Sequence, residues 1–410
     1  MPGPGAFWIG EEEINEVVDV LKSGHLSRYG KLEDPNFKHK VISFEEEFAN
    51  FSGARHCLAV SGGTSALINC LVSMGVGPGD EVIVPGYTFV ATMSAVLFAK
   101  AIPILAEIDE SLTMDPDDFE RKITPRTKAV IPVHMLGNPC RMDRIMEIAD
   151  RHGIAVLEDS CQACGATYRG RPVGSFGKMS AFSLNIFKTI TAGDGGMLTT
   201  DDDELFTRAF AFHDQGHLPY RAGAEIGGRT IIGMNQRINE VSGAVALAQV
   251  RKLPLIVSTL RRNKERLKSR LQGLPGFKFR TINDEGECGT ILTLIFDTKE
   301  LADRFCREVN TKVVYESGWH VYAHMEQILG KCTSTAFKCP YECPVYGREV
   351  SYTSDMLPKT DDILMRSVNI SVGVVDAALA AGFGVNINSA DAEIDRAADK
   401  MAEVLRKISL

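Results

Sequence analysis

The stretch SAFSLNIFKTITAGDGGMLTT, residues 180–200, decides how the rest of the chain is read. An apolar, β-like run carries Ser183 and is followed by one cation, Lys188. A glycine-rich turn (Gly193, Gly195, Gly196) then leads into a second short apolar run. A surface hairpin made soluble by its lysine has this composition, and so does a lysine held to react. The surrounding pattern separates the two.

Upstream, short apolar runs alternate with amphipathic segments. EVIVP (81–85), IPILAEID (102–109), KAVIPVH (128–134), IAVLED (154–159) and KMSAFSLN (178–185) read as strands. They are continuously apolar rather than alternating, as in strands of a mostly parallel sheet covered on both faces. TSALINCLVSMG, VATMSAVLFAKA, MDRIMEIADRHG and DELFTRAFAFHDQG read as the intervening helices. Strand alternating with helix implies an α/β fold with right-handed crossovers. Beyond residue 240 a long helical stretch, bent or broken at Pro254, leads away from the sheet. The expected organisation is a large α/β domain over 1–255 and a smaller α+β domain over 256–410, with the N-terminal segment packing on the smaller one.

Composition narrows the function classes. A net charge of -8 without a basic block excludes a general nucleic-acid binder. Hydrophobic residues make up 44% and charged residues 24%, ordinary values for a globular enzyme. Neither a signal peptide nor a run of eighteen apolar residues is read, so no membrane partner is expected. Ten scattered cysteines suit a reducing compartment, and the reading is cytoplasmic. CQAC (161–164) and CPYEC (339–343) have metal-like spacing, but neither is followed by a matching pair of ligands, so no metal is expected.

In α/β sheets, function gathers outside the carboxyl ends of the strands. Four features fall there. VSGGTSAL (60–67) opens a helix with two glycines and two hydroxyls, an anion cradle or a plain N-cap. LEDSCQACGA (157–166) places Glu158 and Asp159 at the tip of an apolar strand, where a carboxylate needs a cation, a metal or a cap. PGYTFVAT (85–92) places Tyr87 and Phe89 after another strand, as core or as a cover for a planar ligand. The fourth is Ser183 with Lys188. Anion cradle, buried acid, lysine and ring together are what pyridoxal 5′-phosphate (PLP) requires: a phosphate seat, a partner for the pyridine nitrogen, a Schiff-base amine and a stacking face.

Order and spacing now resemble the DegT/DnrJ/EryC1/StrS sugar aminotransferases, of the aspartate-aminotransferase-like fold type I. The resemblance runs through nearly the whole chain. It rests on GGTSAL, GPGDEVIVPGYTFVAT, EDSCQACGATYRGRPVGSFG, FSLNIFKTITAGDGG and GMNQRINEVSGAVALAQ. It implies a PLP-dependent transaminase that takes its amino group from L-glutamate, with a keto- or aldehydo-sugar as acceptor. Lys188 would carry the Schiff base and Asp159 would face the pyridine nitrogen. Gln162 would lie near the phenolic oxygen and Phe89 would stack on the ring. Gly63, Thr64, Ser65 and Ser183 would hold the phosphate. Asn235 would reach the phosphate of a partner subunit, which implies a homodimer with shared active sites.

The chain departs from the family where Ser61-Gly62-Gly63-Thr64 replaces an Asn-Gly-Thr, and where Asp194 stands for a common Glu. Some relatives carry His in place of the lysine and dehydrate sugars; Lys188 favours transamination. The alternatives are a PLP-dependent sugar dehydratase or aromatizing synthase, and a non-catalytic regulatory relative. SRYGK, VHMLG, HDQGH and WHVYAH are similar to strings of family members that aminate an 8-oxo-Kdo-type sugar acid. A sugar acid needs a cation at its carboxylate, and Arg28, His217, Arg237 and His320 are the candidates, each with a structural ion pair or a satisfied histidine as the competing reading.

Overall fold

A computed structural model describes residues 2–219, 231–334 and 337–409. Seven strands form the central sheet: β1 His56–Val60, β2 Glu81–Pro85, β3 Ile102–Ala106, β4 Thr127–Val130, β5 Ala155–Asp159, β6 Met179–Ser183 and β7 Gly196–Thr200. Their order is β1-β7-β6-β5-β4-β2-β3. β7 pairs antiparallel with both β1 and β6, and the other pairings are parallel. β2, β6 and β7 are buried at every position, as continuous apolar runs require when helices cover both faces. The covering helices include Gly63–Ser73, Val90–Phe98, Met142–His152 and Asp203–His213. Asp202 caps the last of these by accepting the Glu204 and Leu205 N–H groups.

A second sheet of three antiparallel strands, β8 Phe277–Phe279, β9 Ile291–Phe296 and β10 Ser367–Ser371, is ordered β8-β9-β10. Helices Lys299–Val309 and Asp391–Ile408 close a separate core over it, with Phe296, Phe305, Ile370 and Met401 inside. The boundary expected at 255/256 falls within one continuous helix, Glu240–Ser269, which contains Pro254. This helix is long and apolar enough to cross a membrane by length and composition alone. It instead packs against helices Glu11–Ser23 and Lys40–Ser52 and buries Leu247, Leu253 and Leu260.

Two features of the later chain matter for the site. Residues 321–334 and 337–357 return to the large sheet rather than staying with the small one. Tyr322 and Leu357 join its core, the Tyr346 hydroxyl donates to Glu81 at 2.8 Å, and the Tyr352 hydroxyl donates to the Pro103 carbonyl at 2.7 Å. The N-terminal segment bridges both parts. The Gly3 N–H donates to the Ile186 carbonyl at 2.8 Å, beside Lys188, while the Trp8 indole N–H donates to Asn388 at 2.9 Å.

Candidate active site

Outside the carboxyl ends of β5 and β6 lies a cavity of about 490 Å³, within the usual range for small-molecule sites. Gly62, Gly63, Thr64, Phe89, Asp159, Gln162, Ser183, Lys188 and His320 line it. Eight of these come from the four sequence features and are spread over more than a hundred residues of chain. The crossover topology brings them to one crevice.

Asp159 is the last residue of β5 and only 5% exposed. Its Oδ2 accepts the Thr92 hydroxyl at 2.8 Å, and its Oδ1 accepts the Cys161 N–H at 3.2 Å. Thr92 in turn lies 2.7 Å from Thr88. Among the described residues no cation pairs with this carboxylate; two neutral donors hold it. Glu158 has a different fate. As the preceding strand residue it faces the other side of the sheet, fully buried, and accepts the N–H groups of Gly174, Phe176 and Gly177 at 2.7–2.8 Å. His134 Nε2 donates to it at 3.0 Å, while His134 Nδ1 accepts the Cys140 N–H.

Gln162 Oε1 accepts the Leu136 N–H at 3.1 Å. Leu136 sits at φ 55°, in the left-handed region. Arg280 and Thr290 hold it there by donating to its carbonyl at 3.0 and 3.1 Å. Phe89 precedes the helix Val90–Phe98 and lies tilted against His320, with centroids 5.3 Å apart. The turn before the helix Gly63–Ser73 is tight: a Cβ on Gly63 would meet Ser183 Cβ at 2.8 Å and Cys161 Sγ at 3.1 Å. The ammonium of Lys188 makes no hydrogen bond or ion pair among the described residues, and Lys188 is part of the cavity lining.

His320 is 4% exposed. Burial and the nearby Lys188 charge push its imidazole down to about 3, against the Ala378 carbonyl that accepts from Nδ1 at 2.9 Å. It is therefore neutral across the physiological range, with Nδ1 as the donor.

The other three cation candidates do not line the cavity, and each is committed elsewhere. Arg28 grips both Glu45 oxygens at 3.0 Å. Arg237 pairs with Asp214, which also accepts the Tyr29 hydroxyl at 2.7 Å. His217 Nδ1 lies 2.8 Å from the Asp214 carbonyl oxygen. Arg28 thus faces the Glu45 carboxylate, and Arg237 and His217 face that of Asp214. Ser65 also lies outside the lining, with its hydroxyl 3.0 Å from that of Ser61. Asn235 is exposed, and its Oδ1 accepts the Arg237 N–H at 3.3 Å. Among the described residues no cluster of three or more His, Cys, Asp or Glu could hold a metal ion.

Asp376 and Ala378, in the part of the chain that follows the long helix, line the cavity but carried no signal in their own segments, and in WHVYAH only His320, not Trp319, was singled out. Thr92 lies within PGYTFVAT, four residues after Thr88 and so on the same helical face, which was a legible cue.

A central sheet with one antiparallel strand, a second small sheet and a lysine–aspartate crevice define the fold of the PLP-dependent aminotransferases. The chain belongs to the DegT/DnrJ/EryC1/StrS aminotransferase family, whose model matches residues 8–375. It is 42% identical over 242 residues to the GDP-perosamine synthase of Caulobacter vibrioides, a match covering 59% of this chain and 62% of the relative. It is 38% identical over 285 residues to the spore coat polysaccharide biosynthesis protein SpsC of Bacillus subtilis, covering 68% and 71% of the two chains. Among solved structures it superposes on DesI, crystallised in the presence of its TDP-sugar product, with a TM-score of 0.75 and 27% identity over 99% of this chain and 92% of the other.

Proposed function

We propose that the protein is a PLP-dependent transaminase that moves an amino group from L-glutamate to a keto- or aldehydo-sugar. The observation that carries this reading is one crevice lined by a buried carboxylate at a strand tip and by a lysine, neither of which has an ion-pair partner among the described residues. When bound, PLP would supply the electron sink for the carbon that bears the nitrogen.

The residues present fit that group. The closed glycine turn at Gly63 leaves room for backbone and an anion but for no side chain, so Gly63, Thr64 and Ser183 would hold the phosphate. Asp159, fixed by Thr92 and Cys161, would keep the pyridine nitrogen protonated, since a neighbouring negative charge favours the cationic form. Phe89 would cover one ring face. Gln162, with its Oε1 occupied by Leu136, would offer its amide NH₂ to the phenolic oxygen. Lys188 would form the covalent attachment and afterwards, as the free amine, would take the proton from the substrate carbon that bears the nitrogen and keep it within the site, returning one in the reverse half-reaction. Asn235, exposed and outside its own cavity, would serve the site of a second copy, which makes the homodimer part of the same reading.

The acceptor class rests on the perosamine and TDP-sugar relatives. An 8-oxo-Kdo-type sugar acid would need its carboxylate matched, and Arg28, Arg237 and His217 are engaged with carboxylates or carbonyls of their own chain. A coupled assay of 2-oxoglutarate release over keto- and aldehydo-sugars tests the reading. Release that depends on one sugar class supports it, and no release with any sugar contradicts it.

A further inference from the structure

Trp319, one of two tryptophans in the chain, lines the cavity yet is 63% exposed. Its ring runs nearly parallel to that of Phe89, at 22°, with centroids 6.1 Å apart. The two segments that carry these rings are held together by backbone pairing. The Val90 N–H donates to the Trp319 carbonyl at 3.1 Å, the Thr88 N–H to the His320 carbonyl at 2.9 Å, and the Tyr322 N–H to the Gly86 carbonyl at 3.0 Å. Tyr87 and Val321 complete an antiparallel bridge. An indole left to water on so fixed a support is apolar surface available for burial by a ligand.

Asp376 also lines the cavity, and Ala378, whose carbonyl accepts from His320 Nδ1 at 2.9 Å, ties it to the residue after Trp319. Asp376 Oδ1 accepts the Ala378 N–H at 2.8 Å, which leaves Oδ2 to accept from a ligand. A flat apolar face beside a hydroxyl acceptor matches a hydroxylated ring, whose C–H face stacks while its hydroxyls donate. It does not match a carboxylate, which Asp376 would repel.

We infer that Trp319 and Asp376 form the seat of the acceptor: Phe89 lies under the cofactor position, and Trp319, one ring further out, lies under an uncharged pyranose. This inference rests on the transaminase reading and adds the part of the substrate that is recognised. L-glutamate has no ring to stack, so Trp319 separates the two half-reactions. It acts on sugar affinity and leaves the donor untouched.

The test compares the PLP-loaded wild type, Trp319→Ala and Trp319→Phe in single-turnover half-reactions. The probes are L-glutamate, GDP-perosamine, glucosamine and 8-amino-8-deoxy-Kdo. In Trp319→Ala the half-saturating concentration of the amino sugar should rise tenfold or more, which is about 1.4 kcal/mol. The maximal rate and both glutamate constants should stay within about twofold. Trp319→Phe should recover most of the loss. Equal losses for glutamate and sugar, or no loss for a sugar the wild type uses, overturn the seat. Preference for 8-amino-8-deoxy-Kdo over both other amino sugars overturns the uncharged ring. A wild type that reacts with glutamate and with none of the amino sugars overturns the seat and leaves the transaminase reading standing; a wild type inert to glutamate overturns both.

Discussion

At Asp159 the two carboxylate oxygens are oriented by one hydroxyl and one backbone N–H, at 2.8 and 3.2 Å. A hydrogen bond to a charged group contributes about 1.5–3 kcal/mol, so Thr92→Val should weaken PLP binding roughly ten- to a hundredfold, while Thr92→Ser should keep it. Titration of the cofactor's visible band reads the difference. An unchanged affinity in Thr92→Val would show that Asp159 needs no such support. Asp159 and Lys188 were legible in the sequence because an acid at the end of an apolar strand and a cation before a glycine turn are anomalies in place. The fate of Arg28, His217 and Arg237 was not legible. Whether a guanidinium is free depends on Glu45 or Asp214 arriving beside it, and that is decided by tertiary packing. WHVYAH was legible as a segment, but the role of Trp319 within it was not, since the ring it aligns with lies at Phe89.

The loop that carries Lys188 is braced by elements distant in sequence. The Gly3 N–H reaches the Ile186 carbonyl, and Gln249 Oε1 accepts the Thr191 N–H at 3.3 Å while its amide donates to Glu13 at 2.8 Å. A Cβ on Gly5 would meet Gln249 Oε1 at 2.5 Å, Ile190 Cα at 2.7 Å and the Thr189 carbonyl oxygen at 2.9 Å. Backbone cannot yield as a side-chain tip can, so Gly5→Ala should cost about 1–3 kcal/mol of stability. The denaturation midpoint measures that loss, and hydrogen exchange should rise at residues 187–190 before it rises in the large sheet. Unchanged exchange there would mean that the N-terminal segment does not brace the loop. Strand positions could be read from the sequence because continuous apolar runs mark strands with two covered faces. The extent of the helix Glu240–Ser269 could not, because Pro254 is a local break signal that packing overrode. Nor did any local pattern announce that residues 321–334 and 337–357 return to the large sheet; aromatic packing and the Tyr346 and Tyr352 hydroxyl bonds bring them there.

For the molecule as a whole, two histidines set an acid response. Burial first, then the Arg28 charge, push His213 down to about 3, and burial with the Lys188 charge does the same for His320. Both fall below the ordinary histidine value near 6.5. The unfolded chain therefore binds protons that the folded chain refuses as pH drops from about 6.5 toward 3, and stability declines through that window. Equilibrium unfolding at stepped pH should show this slope, reduced in His213→Gln; a flat profile between pH 6.5 and 4 would contradict it. If sites are shared between copies, Lys188→Ala and Asn235→Ala chains, each inactive alone, should recover about a quarter of wild-type activity when mixed as dimers. No recovery would confine each site to one chain. The account as a whole stands on Lys188 and a bound cofactor. Reconstituted with PLP, the wild-type protein should show a visible absorption band that L-glutamate bleaches with release of one equivalent of 2-oxoglutarate, and Lys188→Ala should do neither. A wild type without that band, or a variant that bleaches and releases 2-oxoglutarate as the wild type does, would contradict it.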